Sequence, residues 1–174
     1  MEKRVAEPSV TKLKKEVWKL RTSWKIKHFI WQALAGFVTA ASSLCDRHCA
    51  TDRSCIRCGA EEETINHILF ECPPALQCWA LSDIPSPPGV FPCSSLFTNL
   101  DYLLSRAAKQ GVPKETVEPF LWIVWFIWKG RNNKLFNGVE VSPLDTLHLA
   151  LGEANSWKVA QTIPEIEEEL VPAR

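Results

Sequence analysis

Cysteine and histidine are the residue types here whose spacing could do chemistry. Between Cys55 and Cys72 they fall as Cys55-x2-Cys58-x8-His67-x4-Cys72. Structural zinc takes four such donors, thiolate sulfur and imidazole nitrogen, in a tetrahedron with bonds of about 2.0–2.3 Å. A Cys-x2-Cys pair in a tight turn can aim both sulfurs at one ion, and Gly59 directly after it allows the positive φ of such a turn. A largely polar, acidic stretch then leads back to His67, expected in the first turn of a short helix opened by Thr64. Cys72 falls at its end, just before Pro73–Pro74. The competing reading is of buried thiols and an unrelated surface histidine, since a lone Cys-x2-Cys is common. Four donors within 18 residues, bracketing a turn and a helix, favour zinc. A shell closed by four protein ligands leaves no open position for a catalytic water.

Seven cysteines are an odd number, which rules out a complete internal disulfide framework. Cys45 and Cys49, with His48 between them, form an alternative half-site or are plain thiols. Cys78 and Cys93 have no ligand-like company. Whether any of these four joins a metal site stays open at this point.

The elements that must position the site read as helices. Val10, Leu13, Val17, Leu20 and Trp24 recur at helical spacing with Trp18 beside them, and Lys12, Lys14, Lys15, Lys19 and Arg21 mark the opposite face. Thr22–Ser23 offers capping hydroxyls, so the chain bends and restarts at Trp24. The second helix, to about Ala35, buries Phe29, Ile30, Ala33 and Leu34 and stops at Gly36. Thr39 is expected to cap a third helix ending near Cys49. Residues 1–81 are thus expected to hold the basic helices and zinc module. The Pro-rich stretch 82–93 reads as a linker, 94–160 as a helical extension, and 161–174 as an acidic tail. Within the extension Phe120–Trp128 is apolar on every face, which suits a buried central helix rich in Trp. Asn137–Gly138 makes a turn, Ser142-Pro143-Leu144-Asp145 opens a last helix, and Leu144, Leu147, Leu151 and Ala154 give that helix its stripe. The expected fold is mainly α: a small helical domain with a zinc-stapled turn-helix module and a helical extension.

Charge is unevenly distributed in a chain whose net charge is zero. Residues 1–60 carry 12 Lys/Arg against 5 Asp/Glu, whereas residues 61–174 carry 8 against 15. The N-terminus has no apolar run of the kind a secretion signal needs, and the longest strongly apolar run is 9 residues, about half a membrane span. The expectation is an intracellular, reducing location, nuclear or cytoplasmic, with no membrane and no small-molecule substrate as partner. No phosphate-cradling Gly-rich loop, nucleophile elbow or HExxH motif occurs. Glu61, Glu62 and Glu63 read as a solvated loop, and the chain reads as a non-enzyme.

The order of several motifs resembles a known family. Val17-Trp-Lys-Leu, Lys25-Ile-Lys-His-Phe-Ile-Trp31, Cys55-x2-Cys58-Gly59, Glu61-Glu-Glu-Thr64, His67-Ile-Leu-Phe-Glu-Cys72 and Trp79 together resemble the zinc-binding domain of reverse transcriptases from plant non-LTR retrotransposons. Ile127-Trp-Lys-Gly-Arg-Asn132 and Phe136-Asn137 are similar to the segment that follows it. The resemblance implies Cys55, Cys58, His67 and Cys72 as the metal ligands. In that family the domain follows the polymerase and often precedes a ribonuclease H domain. Neither the paired-aspartate polymerase motif nor the acidic cluster of a ribonuclease H occurs here, so the chain looks like an isolated or domesticated copy. The family often has prolines where this chain has Thr22-Ser-Trp24.

Two functions follow as expectations. The first is a non-catalytic zinc module binding RNA or DNA through Lys12, Lys14, Lys15, Lys19, Arg21, Lys25 and Lys27, with Arg53 and Arg57 beside the metal turn and Trp24 or Trp31 stacking on bases. The second is a zinc-stabilised scaffold or protein-interaction domain whose acidic C-terminal half docks a basic partner; a reverse transcriptase or another protein acting in trans is a further expected partner. A charge run is also the ordinary solvated face of an amphipathic helix, and a Trp stripe is also ordinary core.

Overall fold

Helix α1 (Val10–Lys19) opens where the Ser9 hydroxyl accepts a hydrogen bond from Lys12 N at 3.4 Å, and it buries Leu13 and Val17. This structure is a computed structural model that describes residues 6–162; the acidic segment beyond Pro164 lies outside the described residues. The chain turns at Leu20–Ser23 and restarts as α2 (Trp24–Leu34), which buries Ile26, Phe29, Ile30, Ala33 and Leu34 as its apolar period demands. Trp24 does not join that stripe: it is 70% exposed. Helix α3 (Ala41–Asp46) is shorter than Thr39–Cys49. Its start is held by Ser43 Oγ, which accepts from Ala40 N at 2.9 Å, and it ends before His48, whose φ is +58°.

After the cysteine turn comes a π-helical turn (His67–Glu71), then Cys72 in extended backbone, then α4 (Pro73–Leu81). Pro73 therefore opens a helix at its first position as well as ending the preceding one. Helix α5 (Leu96–Asp101) runs through a second π turn (Tyr102–Arg106) into α6 (Ala107–Lys109), and α7 (Lys114–Val117) leads to α8 (Phe120–Asn137). As its composition predicts, α8 is buried along most of its N-terminal half: Phe120, Leu121, Trp122, Ile123, Val124 and Ile127 are all in the core. Gly138, at φ +68°, caps it in the left-handed conformation. Helix α9 (Pro143–Thr162) opens with the reciprocal bonds of Ser142 and Asp145, at 3.1 and 2.8 Å. Among the described residues there is no strand, and the fold is mainly α.

Two expectations need correction. Helix α9 packs on α8 and α4 through Thr146, Leu147, Ala150 and Ala154, while Leu144 and Leu151 are 49% and 41% exposed. Small residues let the helix backbones approach, and that requirement shifts the buried face away from the leucine stripe. The Pro-rich stretch 82–93 is not a free connector. Ile84 and Phe91 are buried in the same core cluster as the helices on either side. Phe91 stacks on Tyr102 at 4.8 Å and meets Trp79 edge-on at 5.3 Å, and Tyr102 Oη donates to Pro85 O at 2.8 Å. Among the described residues no helix is long and apolar enough to cross a membrane.

Candidate metal centre and basic face

Two short pieces of backbone bring four donors together. The first is the turn Cys55–Ala60, closed by Gly59 N donating to Cys55 O at 2.8 Å and Cys55 N donating to Ala60 O at 2.9 Å. Gly59 has φ +76°, the conformation the sequence reserves for it. The second is the π turn. In an α-helix residues five apart point about 140° away from each other. Here Cys72 N donates to His67 O at 2.7 Å, so the wider turn closes between the two ligand residues and brings them toward the same site. Thr64 Oγ1 accepts from His67 N at 3.0 Å and starts the element, as predicted. Trp79 Nε1 donates to Leu69 O at 2.8 Å and stacks on Phe70, fixing the turn from behind.

The donor atoms of Cys55, Cys58, His67 and Cys72 all lie within 4.8 Å of one another. Cys55 Sγ and Cys72 Sγ are 3.8 Å apart, and Cys58 Sγ and His67 Nε2 are 3.3 Å apart. A tetrahedral ion with bonds of about 2.3 Å to sulfur holds two sulfurs about 3.8 Å apart. The donor set therefore fits such an ion in type, number and spacing. Cys55 and Cys72 are buried, Cys58 is exposed and His67 half-buried, so the centre has one face in the core and one at the surface. The Cys55 thiol is lowered to about 4, first by the Cys72 thiol beside it and then by the Cys58 and Arg57 backbone N–H groups; burial opposes this. Cys72 is pushed up by the same thiol pair and by burial. A divalent cation resolves that opposition by favouring both thiolates.

The remaining thiols do not gather into this cluster. Cys45 is half-buried, Cys49 Sγ donates to Arg47 O at 3.4 Å, and Cys93 Sγ donates to Ser95 O at 3.8 Å. Cys78 is buried, and burial pushes its thiol up to about 11.

The acidic loop contains a residue whose role its neighbours conceal. Glu61 and Glu62 are exposed, but Glu63 is fully buried. Its carboxylate accepts from Arg131 Nε at 3.1 Å, from Arg131 Nη2, and from Ala41 N at 3.0 Å; its carbonyl accepts from Ser42 Oγ at 2.8 Å. The fork-to-fork ion pair ties the metal loop to α3 and α8. A second pair joins Arg57 to Glu140, with Arg57 Nε donating to Glu140 Oε1 at 2.8 Å. The Arg57 guanidinium passes 3.9 Å from where a Cβ on Gly130 would stand. Gly130 and Arg131, adjacent on α8, thus receive two arms from the metal loop.

Arg57 therefore does not belong with the exposed cations: its side chain is 3% exposed. Arg53 is half-buried and bridges Asp46 and Glu62 at 2.7 and 3.0 Å. Lys12, Lys15, Lys19, Arg21 and Lys25 are exposed along α1 and the start of α2, with Lys14 and Lys27 half-buried among them. Lys14 Nζ sits 4.9 Å from the Trp31 ring and Lys25 Nζ 5.5 Å from the Trp125 ring; Lys27 Nζ donates to Trp18 O at 3.3 Å, and Lys19 pairs with Glu16 at 3.0 Å.

The described residues define a small all-α module around a three-cysteine, one-histidine cluster that could hold a metal ion. Residues 2–79 match the family described as zinc-binding in reverse transcriptase. A relative from Arabidopsis thaliana, named as a ribonuclease H protein, is 28% identical over 133 residues, which is 76% of this chain and 21% of the relative. The chain thus spans about a fifth of that protein's length. No solved structure matches.

Proposed function

We propose that the chain is a non-catalytic zinc module of retrotransposon reverse-transcriptase origin that binds RNA or DNA through the basic face of α1 and α2. Zinc is the ion that the donor set favours, because thiolate-rich tetrahedral sites select it over oxygen-seeking cations. Its task here is to hold the loop 55–72 against α4 and α8. The observation that carries the nucleic-acid reading is the basic face itself: seven cations in 16 residues, opposed only by Glu16, on helices that the metal-bearing core presents to solvent. Such a face neutralises phosphates and releases their counterions. Titration of the zinc-loaded protein with labelled RNA and DNA at low salt tests it. Binding should weaken about linearly in log–log form as salt rises, and an absence of salt-dependent binding to either overturns the reading.

A scaffold role is favoured by a different surface. Helix α9 exposes Leu144, Leu149, Leu151 and Val159, each at least 41% accessible, and such apolar side chains suit docking to another protein. A pull-down that survives nuclease treatment supports that reading, and one abolished by nuclease supports the first.

A further inference from the structure

The turn between α1 and α2 assembles a surface that the charge pattern does not account for. Trp18 is 40% and Trp24 70% exposed, a large apolar area to leave in water. Their rings lie 5.1 Å apart at 33°, and Trp24 in turn stacks on His28 at 6.5 Å and 7°. Three aromatic rings thus form a short ladder on the outside of the molecule. Cations flank the ladder in the sequence, with Lys19 also paired to Glu16 and Lys25 Nζ also 5.5 Å from the Trp125 ring. Arg21 and Lys25 are exposed within three residues of Trp24 on either side, Lys19 adjoins Trp18, and Lys27 reaches back to the Trp18 carbonyl.

The backbone adds donors at the same place. Helix α2, 11 residues long, begins at Trp24 without a side-chain cap, because Ser23 makes no capping bond. The first-turn N–H groups of a helix without a cap attract anionic oxygens. The Thr22 and Ser23 hydroxyls are buried there without a hydrogen-bond partner among the described residues.

We propose that Trp18, Trp24 and His28 are a base-stacking platform that selects single-stranded over duplex nucleic acid. An unpaired base stacks on the exposed Trp24 ring while its flanking phosphates meet Arg21, Lys25 and the start of α2. In a duplex both faces of each base are already stacked on neighbours, so the same platform finds nothing to cover. A helix pair that carries seven cations together with exposed aromatic rings matches a polyanion that carries flat apolar rings; an acidic peptide would use the charges and leave the rings bare. This inference rests on the nucleic-acid reading above.

The test is fluorescence anisotropy of the zinc-loaded full chain with a labelled single strand of about 16 nucleotides, within the usual site range, and with the duplex of the same sequence, across a salt series. The wild-type protein should prefer the single strand. Trp24→Ala should weaken single-strand binding by about tenfold or more while leaving duplex binding, the salt slope and the zinc content unchanged. Trp24→Phe should recover most of the loss. Arg21→Ala should instead weaken both ligands and lower the salt slope by about one. Equal single-strand affinity for Trp24→Ala and wild type, or a wild-type preference for duplex, overturns the platform and leaves the basic-face reading standing. An absence of salt-dependent binding to either ligand overturns both, as does capture of an acidic protein by this face under conditions where neither nucleic acid binds.

Discussion

Removing the metal with a strong chelator under reducing conditions is expected to unfold the segment from about residue 50 to residue 80 and to restore it when zinc is returned. Apart from the pair of Arg57 with Glu140, the turn at Cys55–Ala60 is held from its surface side by little else: its tip residues Ile56, Cys58 and Gly59 are exposed. Structural zinc contributes on the order of 10–16 kcal/mol to folding in small zinc modules, as much as the whole stability of a typical domain, about 5–15 kcal/mol. Without it the Cys55 and Cys72 sulfurs, buried 3.8 Å apart, must share protons instead of a cation. Hydrogen exchange should show the loss of protection concentrated at the π turn and α4, reaching α8 through Glu63. Unchanged protection across residues 50–80 after complete chelation would contradict a structural metal.

The second large effect is expected at the Glu63–Arg131 pair. Arg131→Met leaves a fully buried carboxylate whose remaining side-chain partner is Ala41 N. Breaking one side of a buried ion pair costs about 3–5 kcal/mol, whereas replacing both sides with apolar residues costs far less. Urea unfolding should therefore show Arg131→Met strongly destabilised and Glu63→Leu/Arg131→Met substantially recovered. A single variant within about 1 kcal/mol of wild type would show that the pair does not join the metal loop to α8. The pair joins two of the segments that carry the resemblance: Glu63 lies in Glu61-Glu-Glu-Thr64 and Arg131 in Ile127-Trp-Lys-Gly-Arg-Asn132, 68 residues apart. Within the part that matches the family, residues 2–79, α2, the π turn and α4 pack against α8 and α9, which lie beyond it.

The sequence reveals what is local. Donor spacing picks out the four side chains that cluster, apolar periods place α1 and α2, and the unbroken apolar run of α8 announces its burial. The missing features depend on residues far apart or on geometry without a period. A π turn has no repeating pattern to read, so His67 and Cys72 look like the ends of an ordinary short helix until the bond from Cys72 N to His67 O is seen. Three consecutive glutamates look alike until Arg131 arrives from α8 to single out Glu63. Prolines at 85, 87, 88 and 92 correctly mark the absence of regular structure, but they conceal the burial of Phe91 between Trp79 and Tyr102. The cation run is visible at once. That Arg57 leaves it for Glu140 depends on a contact 83 residues away. The Trp count suggests core, yet Trp18 and Trp24 remain outside, and only the turn at Thr22–Ser23 explains how they meet.

The metal centre is tested most directly by elemental analysis of the protein purified under reducing conditions, alongside Cys58→Ser. Cys58 is the exposed ligand, so its replacement removes a donor with little disturbance to the core. One zinc per wild-type chain, with a clear loss in Cys58→Ser and none in Cys49→Ser, is the predicted result. Substantially less than one zinc in the wild-type protein, or full occupancy in Cys58→Ser, would contradict the assignment of Cys55, Cys58, His67 and Cys72 as a zinc site.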